Sequence, residues 1–375
     1  MPEQGFKAGL EDVVANTSEI CFIDGHEGRL VYRGYNVADL AETTSFEEVV
    51  YLLWNGDLPN QAQLAQLKDE IKKSAPLAKP VHEFLRSLPH DTHPMDALRT
   101  AVSLAGIYDP DGNAMTPEAN HRKAVRLVAQ VPTIVAAFDR LRHGKSPVDP
   151  DPSLSLAENF LYMLHGEKPK ELHAKVFNTA LILHADHELN ASTFSARVTA
   201  GTLSDMYSAI TSAIGTLKGP LHGGANEQVM YMLQKIGSVE NAKPWVEAAL
   251  ARKEKIMGFG HRVYRTEDPR AIILRRLSKD VGEDAHDLKW YNMLNEVREV
   301  IMGSKKLYPN VDLYSGSVYF QMGIPTDIFT PVFAISRVSG WTAHVLEQYQ
   351  NNRLIRPRAE YTGATHRDFV PLEKR

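Results

Sequence analysis

Apolar residues recur at the three- and four-residue spacing of an α-helix through most of this 375-residue chain, and helix-start and helix-stop residues separate one run from the next. Ser45, with Glu48 three positions further on, forms a capping-box pattern, and Gly56 ends the run that follows. Asn60 then begins another run of the same kind. Strand-like segments do not alternate with the helical ones, which disfavours a parallel α/β sheet. The pattern therefore predicts a mainly α-helical fold.

The same pattern locates the remaining helices. They are expected over 81–88, 94–106, 117–142, 154–164, 170–185, 191–214, 223–236, 240–252, 268–280, 284–302, 314–321 and 328–350. Pro132 should kink or break the third of these, because proline lacks the N–H that a helix needs. Near the amino terminus, residues 19–23 and 30–32 are short β-like runs around a glycine-containing loop, which is typical of a β-hairpin. We expect no other sheet of note.

The length of the chain suggests two domains or one large helical domain. Breaks rich in proline, glycine and aspartate occur at 109–113 and 144–152; they are candidate linkers, although loops between packed helices are the favoured interpretation. No apolar run approaches the ~18 residues of a membrane span. The amino terminus resembles neither a signal peptide nor a transit peptide. We therefore expect a cytoplasmic protein with no membrane partner.

Charge and cysteine content exclude several classes of function. The single cysteine, Cys21, leaves no internal disulfide and no multi-cysteine metal site. A formal charge of −4 argues against nucleic acid as the main partner. Within this acidic chain, residues 252–276 carry eight basic and three acidic side chains. That concentration indicates a small anionic ligand or, alternatively, a solvated basic helix face.

Histidines in polar or glycine-rich surroundings are the first candidate functional residues. His184 and His187 share a helix face, so a metal site is conceivable, although core and capping roles are commoner. His222 lies among glycines at a helix start. This pattern indicates either a binding site for an oxyanion or enolate or only a tight turn. His261 is followed closely by three arginines, whose forks bind carboxylate or phosphate. Asp312, by its local sequence, is an Asx-type helix cap.

In this order, the segments resemble the citrate synthase family. The matching runs are GPLHGGANE around His222, GFGHRVYRTEDPR around His261, YPNVD ending in Asp312, FAISR ending in Arg337, and the tail LIRPRAEYTG that starts at Leu354. The likeness extends from the YRGY segment at 32–35 to the carboxyl end. It implies an almost all-α homodimer. Each subunit would have a large helical domain, 1–222 with 325–375, and a smaller one, 223–324, that closes over the substrates.

The resemblance also implies an acyltransferase of the tricarboxylic acid cycle. It would condense acetyl-CoA with oxaloacetate and water to citrate and CoA, through an enolate and citryl-CoA. Asp312 matches the general base that takes a methyl proton of acetyl-CoA. His222 matches the residue that hydrogen-bonds to the thioester oxygen, and His261 the residue that polarises the oxaloacetate carbonyl.

Binding residues follow from the same resemblance. Oxaloacetate contacts are expected from His187, Arg270, Arg337 and, across the dimer interface, Arg356. CoA contacts are expected from Ile256, Met257, Gly258, Phe259, Gly260, Arg265 and Asn310. Lys305 and Lys306 are either further phosphate ligands or solvated surface. No metal or cofactor is required, which sets aside a metal at His184 and His187.

Besides a metal hydrolase, which activity unaffected by chelators would dismiss, two alternatives to citrate synthesis stay open at this point. The first is 2-methylcitrate synthesis from propionyl-CoA, because one methylene is worth only about 1–3 kcal/mol in a pocket and the residues that shape the pocket cannot be named from sequence. The second is an inactive CoA-binding protein, which the presence of His222, His261 and Asp312 disfavours.

Overall fold

The computed structural model describes residues 7–375. Within that range the chain forms sixteen α-helices and one three-stranded antiparallel sheet. The strands are β1 Cys21–Asp24, β2 Arg29–Tyr32 and β3 Tyr35–Asn36, in that spatial order. Cys21 pairs with Tyr32 and Asp24 with Arg29. The mainly α fold and the amino-terminal hairpin are confirmed, and β3 extends the hairpin by one short strand.

The helices account for most of the chain. They are α1 Val37–Thr43, α2 Phe46–Asn55, α3 Gln61–Ser74, α4 Lys79–Ser87, α5 Pro94–Ile107, α6 Pro117–Arg142, α7 Leu156–His165, α8 Glu171–His184, α9 Ala191–Gly201, α10 Met206–Leu217, α11 Ala225–Ile236, α12 Val239–Ala251, α13 Pro269–Asp284, α14 Lys289–Lys305, α15 Val311–Gln321 and α16 Phe329–Gln350. Three 3₁₀ turns accompany them, at Ala8–Leu10, Thr326–Ile328 and Leu372–Lys374.

Local sequence signals set many of these boundaries. Ser45 Oγ accepts a hydrogen bond from Glu48 N–H, and Glu48 Oε2 accepts one from Ser45 N–H at 2.7 Å, so the predicted capping box starts α2. Gly56 ends α2 in the left-handed conformation, with φ of 90°. Helix α6 continues through Pro132, so of the two predicted outcomes, a kink or a break, the break does not occur.

One predicted helix is wrong. The range 191–214 is two helices, α9 and α10. Leu203 leaves the helical conformation with φ of 62°, and the Asp205 side chain accepts from Ser208 N–H to start a new helix. The apolar periodicity runs across the break, but the aspartate cap interrupts the backbone. Helix α15 also begins three residues earlier than expected, which places Asp312 in its first turn.

Helix α16 is the centre of packing. It is buried over most of its length and contacts α2, α6, α8, α9 and α10. Small and apolar residues lie on every side of its axis, as expected for a helix surrounded by others. Helices α11 to α15 pack largely on one another, with α13 and α11 against α15 and α12 against α14.

The two proline- and glycine-rich breaks are loops between packed helices. The break at 109–113 joins α5 to α6, the break at 144–152 joins α6 to α7, and each pair of helices is in contact. Among residues 7–375, no helix is both long and apolar enough to cross a membrane.

Gly340 allows α16 to approach the end of α8. Its N–H donates to the Ala185 carbonyl oxygen at 3.1 Å. A methyl group at this position would lie 2.4 Å from that oxygen and 2.4 Å from Asp186 Oδ1. One turn earlier on α16, Arg337 Nε donates to the His184 carbonyl oxygen at 2.7 Å. This contact therefore holds the segment after α8 beside Arg337.

Gly340→Ala should destabilise the protein, whereas Gly303→Ala should not. Overpacking a tight core costs about 1–3 kcal/mol. At Gly303, on α14, an added methyl meets no atom within 4 Å, and alanine is favoured in a helix by about 0.5–1 kcal/mol. Thermal unfolding of the two variants measures the contrast. Equal midpoints would contradict the close packing of α16 on residues 185–186.

Candidate active site

The largest group of candidate residues surrounds one cavity of about 800 Å³. Its walls come from the segment after α8, the turn before α11, the loop before α13, the start of α15 and the middle of α16. The sequence-predicted residues that line it are His187, His222, Phe259, Gly260, His261, Arg265, Arg270, Asn310, Asp312 and Arg337. The fold thus brings together residues that are up to 150 positions apart, as expected from the resemblance.

The hydrogen bonds of His222 fix which nitrogen carries its proton. Ser192 N–H, at the start of α9, donates to His222 Nε2 at 3.3 Å, so Nε2 is an acceptor. The Ser192 hydroxyl lies 2.8 Å from the same nitrogen and is held by Asn190 Oδ1 and Trp341 Nε1–H. In the neutral ring the proton is therefore on Nδ1. Nδ1 has no hydrogen-bond partner among the described residues and is available to a ligand.

His261 is fixed in the opposite tautomer. Its Nδ1 accepts from Val263 N–H at 2.9 Å and from Tyr264 N–H at 3.1 Å. Backbone N–H groups can only donate, so Nδ1 must be unprotonated and Nε2 carries the proton. His261 thus offers a single N–H donor at the cavity wall.

All three cavity histidines are held neutral. Burial, followed by the charge of Arg337, lowers the pKa of His222 to about 4. Burial, followed by Arg270, lowers the pKa of His261 to about 4. The pKa of His187 lies well below its ordinary value for the same reasons. At neutral pH these rings are hydrogen-bonding groups and not cations.

Arg270 is buried and held by its neighbour Asp268. Its Nε and Nη2 donate to the two carboxylate oxygens of Asp268 at 3.0 and 2.8 Å. Burial lowers the pKa of Arg270, and the Asp268 carboxylate more than offsets this, so that its pKa lies above the ordinary value. Asp268 also caps α13 by accepting from Arg270 N–H. Because Nε and Nη2 are both paired with Asp268, Nη1 is the guanidinium nitrogen that can donate to another partner.

Arg337 and His187 carry polar groups that the described residues leave unsatisfied. Arg337 is 2% exposed; its Nε donates to a carbonyl and its guanidinium lies over the Phe333 ring, 4.7 Å from the centroid. Burial lowers its pKa to about 10, so it remains charged at neutral pH. His187 Nε2 is buried without a hydrogen-bond partner among residues 7–375. An anion with several oxygens would satisfy these groups together.

Asp312 lies in the first turn of α15. Asn310, and not Asp312, is the helix cap, because its Oδ1 accepts from Asp312 N–H at 3.0 Å. The Asp312 carboxylate is therefore free of the capping role that its local sequence suggested. Burial raises its pKa to about 7, and Arg270 works in the opposite direction. A carboxyl group with such a pKa is suited to proton transfer near neutral pH.

The loop that contains Gly258 and Gly260, called the glycine-spaced loop below, is hydrogen-bonded to the segment before α15. Gly260 N–H donates to the Tyr308 carbonyl, and Asn310 N–H donates to the Gly258 carbonyl at 3.0 Å. Gly258 has φ of +86°, and a methyl there would lie 2.8 Å from Leu313. Of the predicted CoA contacts, Phe259, Gly260, Arg265 and Asn310 line the cavity, whereas Ile256, Met257 and Gly258 support the loop behind it.

Some candidates lie elsewhere. Arg356 is exposed in the segment after α16 and does not line the cavity of its own chain. Lys305 and Lys306, at the end of α14, are also outside it. His184 Nδ1 bonds to the Ala180 carbonyl in the core. Within residues 7–375, no group of three or more His, Cys, Asp or Glu side chains is arranged to hold a metal ion.

Several residues of this site were not predicted from the sequence. Ser192, Trp341 and Asp268 act by orienting His222 and Arg270. Asp268 lies in the TEDPR run, two residues before Arg270. An aspartate at this position is typical of a helix cap, so the sequence could have indicated it. Ser192 and Trp341 reach the site only through helix packing, so no local pattern indicates them.

Known proteins share this fold and sequence over nearly the whole chain. A family model described as citrate synthase, C-terminal domain, matches residues 9–358. Citrate synthase 2 of Bacillus subtilis is 56% identical over 98% of each chain. 2-Methylcitrate synthase 1 of Corynebacterium glutamicum is 43% identical over 100% of each. The ternary complex of carboxymethyl coenzyme A and oxaloacetate with citrate synthase from Thermoplasma acidophilum matches with a TM-score of 0.91 and 36% identity, covering 97% of this chain and 98% of that one.

The matching family and relatives make this chain an acyltransferase. More particularly, the chain belongs to the citrate synthase family, and both the family resemblance and the fold expected from it are confirmed.

Arg270→Lys should weaken binding of a dicarboxylate although the charge is kept. Lysine cannot form the two-pronged contact with Asp268, so its ammonium would not be held at the cavity wall. We expect at least a tenfold loss of affinity for oxaloacetate by calorimetry. Arg276→Lys, at an exposed pair with Glu42, is the matched control and should bind as the parent does. Equal affinities would show that charge alone, without the fork, suffices.

Proposed function

We propose that this chain condenses acetyl-CoA with oxaloacetate and water to give citrate and CoA. The observation that carries the proposal is the content of one cavity: a carboxyl group with a raised pKa, two neutral histidines in fixed opposite tautomers, and two buried arginines. These groups match the needs of a carbon–carbon bond formed between a thioester and a dianionic keto acid.

The first step is removal of a proton from the methyl carbon of acetyl-CoA by Asp312. A thioester methyl group is a weak acid, so the developing enolate oxygen needs a donor. His222 supplies it through Nδ1–H. A neutral imidazole is suited to this task, because the acidity of its N–H is closer to the acidity of the enol than the acidity of an imidazolium is. Ser192 keeps the ring in the donating tautomer.

The enolate carbon then attacks the keto carbon of oxaloacetate. Negative charge develops on the keto oxygen, and His261 donates to it through Nε2–H. Arg270, Arg337 and His187 hold the two carboxylates of oxaloacetate and orient the keto carbon. Protonation of this oxygen gives citryl-CoA, and water then cleaves the thioester of citryl-CoA to release citrate and CoA.

The CoA portion lies along the glycine-spaced loop. Lys255, Arg262 and Arg265 line the outer part of the cavity, where they attract the phosphates of CoA. Phe259 and Gly260 present ring and backbone to the adenine. This arrangement supports the small anionic ligand inferred from the charge of residues 252–276.

We also infer two domains and a homodimer. Helices α11 to α15, within 223–324, pack largely on one another, and α13, α15 and the loop before α13 line part of the cavity, which supports a smaller domain that can close. The tail after α16 exposes large apolar residues, namely Leu354, Tyr361, Phe369 and Leu372. Exposed apolar surface of this kind favours association with a second copy. In that dimer Arg356 completes the site of the partner protomer. The cytoplasmic location stays a prediction.

The choice of acyl-CoA tests the function directly. Release of CoA should be strong and oxaloacetate-dependent with acetyl-CoA and weaker with propionyl-CoA. The greater similarity to Bacillus subtilis citrate synthase 2 than to the 2-methylcitrate synthase supports this order. A preference for propionyl-CoA would transfer the assignment to 2-methylcitrate synthesis, and no release with either would overturn the proposed function.

The dependence of kcat/KM on pH should report Asp312. The base is the ionised form, so activity should rise with pH through about 7 and fall away on the acid side. His222 and His261, with pKa values of about 4, should add no step in that range. Asp312→Asn should lower turnover by at least about a thousandfold while oxaloacetate still binds. Near-parental turnover of this variant would exclude Asp312 as the base.

Mixed dimers test the contribution of Arg356. Arg356→Ala and Asp312→Asn should each be inactive alone. When the two are unfolded and refolded together, half of the dimers are mixed and each of these has one intact site, so about a quarter of parental activity should return. If Arg356 instead served its own chain, mixing would restore nothing.

A further inference from the structure

The amino-terminal hairpin touches the loop that carries His261. The turn between β1 and β2 lies on residues 263–267, more than 230 positions away in sequence. The Gly25 carbonyl accepts a hydrogen bond from Arg265 N–H at 2.8 Å. A methyl group on Gly25 would lie only 2.3 Å from the Val263 carbonyl oxygen. The two backbones are therefore in direct contact.

The contact continues along the turn. Gly28 has φ of +65°, and a methyl there would lie 2.7 Å from Thr266 Cγ2 and 3.2 Å from the Glu267 carbonyl oxygen. Side chains at either glycine would separate the hairpin from the loop. Small residues here thus serve close approach of two chain segments.

The turn is stiffened by its own side chains. Asp24 Oδ1 accepts from His26 N–H at 3.0 Å and from Glu27 N–H at 2.9 Å. These backbone donors, that of Glu27 foremost, lower the pKa of Asp24. Such an Asx turn fixes the backbone before any partner is met.

The base of the hairpin is anchored beside His187. The buried Tyr32 hydroxyl donates to the Asp186 carbonyl oxygen at 3.0 Å and accepts from Asp186 N–H at 3.3 Å. One end of the hairpin thus holds the segment that leads to His187, and the other end holds the backbone after His261. The rings of these two histidines lie 5.1 Å apart.

The backbone under the turn is the same backbone that fixes His261. Val263 N–H and Tyr264 N–H both donate to His261 Nδ1, and Gly25 contacts Val263 and Arg265 on either side of Tyr264. A shift of this segment would move the two donors away from Nδ1. The ring would then be free to exchange its proton between nitrogens.

We propose that the hairpin turn Asp24–Gly28 is a positioning element for the condensation site, which holds residues 263–265 so that His261 remains an Nε2–H donor. The hairpin does not touch the reacting groups in this proposal; it acts through the loop. The inference rests on the proposed role of His261, and the experiment separates failure of the one from failure of the other.

Gly25→Ala is the main test. A methyl carbon needs about 3.4 Å from the Val263 oxygen, so the segments must part by roughly 1 Å, and a misplacement of that size costs up to about a hundredfold in rate. We expect kcat/KM for oxaloacetate to fall between tenfold and a hundredfold. Gly303→Ala, with no neighbour within 4 Å of the added methyl, is the matched control and should keep the parental value.

The tautomer of His261 is read independently of turnover. In ¹⁵N-histidine NMR spectra of the full-length protein, the His261 signals are assigned by their loss in His261→Gln. The parent should show a neutral ring with an unprotonated Nδ1 down to about pH 5, consistent with its pKa of about 4. Gly25→Ala should show mixed tautomers and a higher pKa.

Asp24→Ala provides a second variant in case Gly25→Ala folds poorly. It frees His26 and Glu27 N–H without adding a clash, so we expect a several-fold loss of kcat/KM and the same direction of change at His261. Asp287→Ala removes a comparable exposed turn, in which Asp287 Oδ1 accepts from Lys289 N–H at 2.9 Å, and should leave activity unchanged.

The outcomes are distinct. Parental kcat/KM and parental His261 signals in both hairpin variants would overturn the positioning role. A lowered thermal midpoint with unchanged His261 signals would also overturn it, since the hairpin would then serve stability alone. Full activity of His261→Gln would instead refute the proposed role of His261, whatever the hairpin variants show.

Discussion

The active site depends on two guanidinium groups that are kept out of water. Arg270 and Arg337 are each 2% exposed, and only Arg270 has a carboxylate partner, Asp268. A buried charge without a partner is costly, so the charge of Arg337 has no negative partner until an anion enters the cavity. The same positive charge adds to burial in lowering the pKa of His222 and His261. Burial of two cations therefore favours an anion in the cavity and helps to keep the neighbouring imidazoles neutral.

Neutral imidazoles are useful only if the proton is on the correct nitrogen, and backbone groups make that choice. Ser192 N–H donates to Nε2 of His222, while Val263 N–H and Tyr264 N–H donate to Nδ1 of His261. The two rings become donors through different nitrogens. Ser192 orients the His222 ring, and the turn that follows His261 orients the His261 ring, so both rings are oriented before a ligand enters. Asp312 differs, because burial raises its pKa toward neutrality, with a smaller contribution from the Asp268 charge, while Arg270 and Arg337 act in the opposite direction.

Two close approaches of backbone bring these segments together. Gly340 lets α16, which bears Arg337, pack on residues 185–186, and Gly25 lets the hairpin turn rest on the loop after His261. In both places an added methyl group would lie within 2.4 Å of a carbonyl oxygen. Segments that line the cavity are thus packed on the rest of the chain at contacts where a side chain does not fit.

The sequence by itself determined the helical class, most helix positions and the chemistry-bearing residues, because periodicity, caps and motif runs are local properties. It failed where a cap interrupts a continuous apolar pattern, at Asp205, and where a helix is as short as α1. Tertiary structure alone decided which nitrogen of each histidine is protonated and that Asn310, not Asp312, is the cap of α15. Proton position and pKa depend on burial and on donors brought in from distant segments, and no local pattern encodes either.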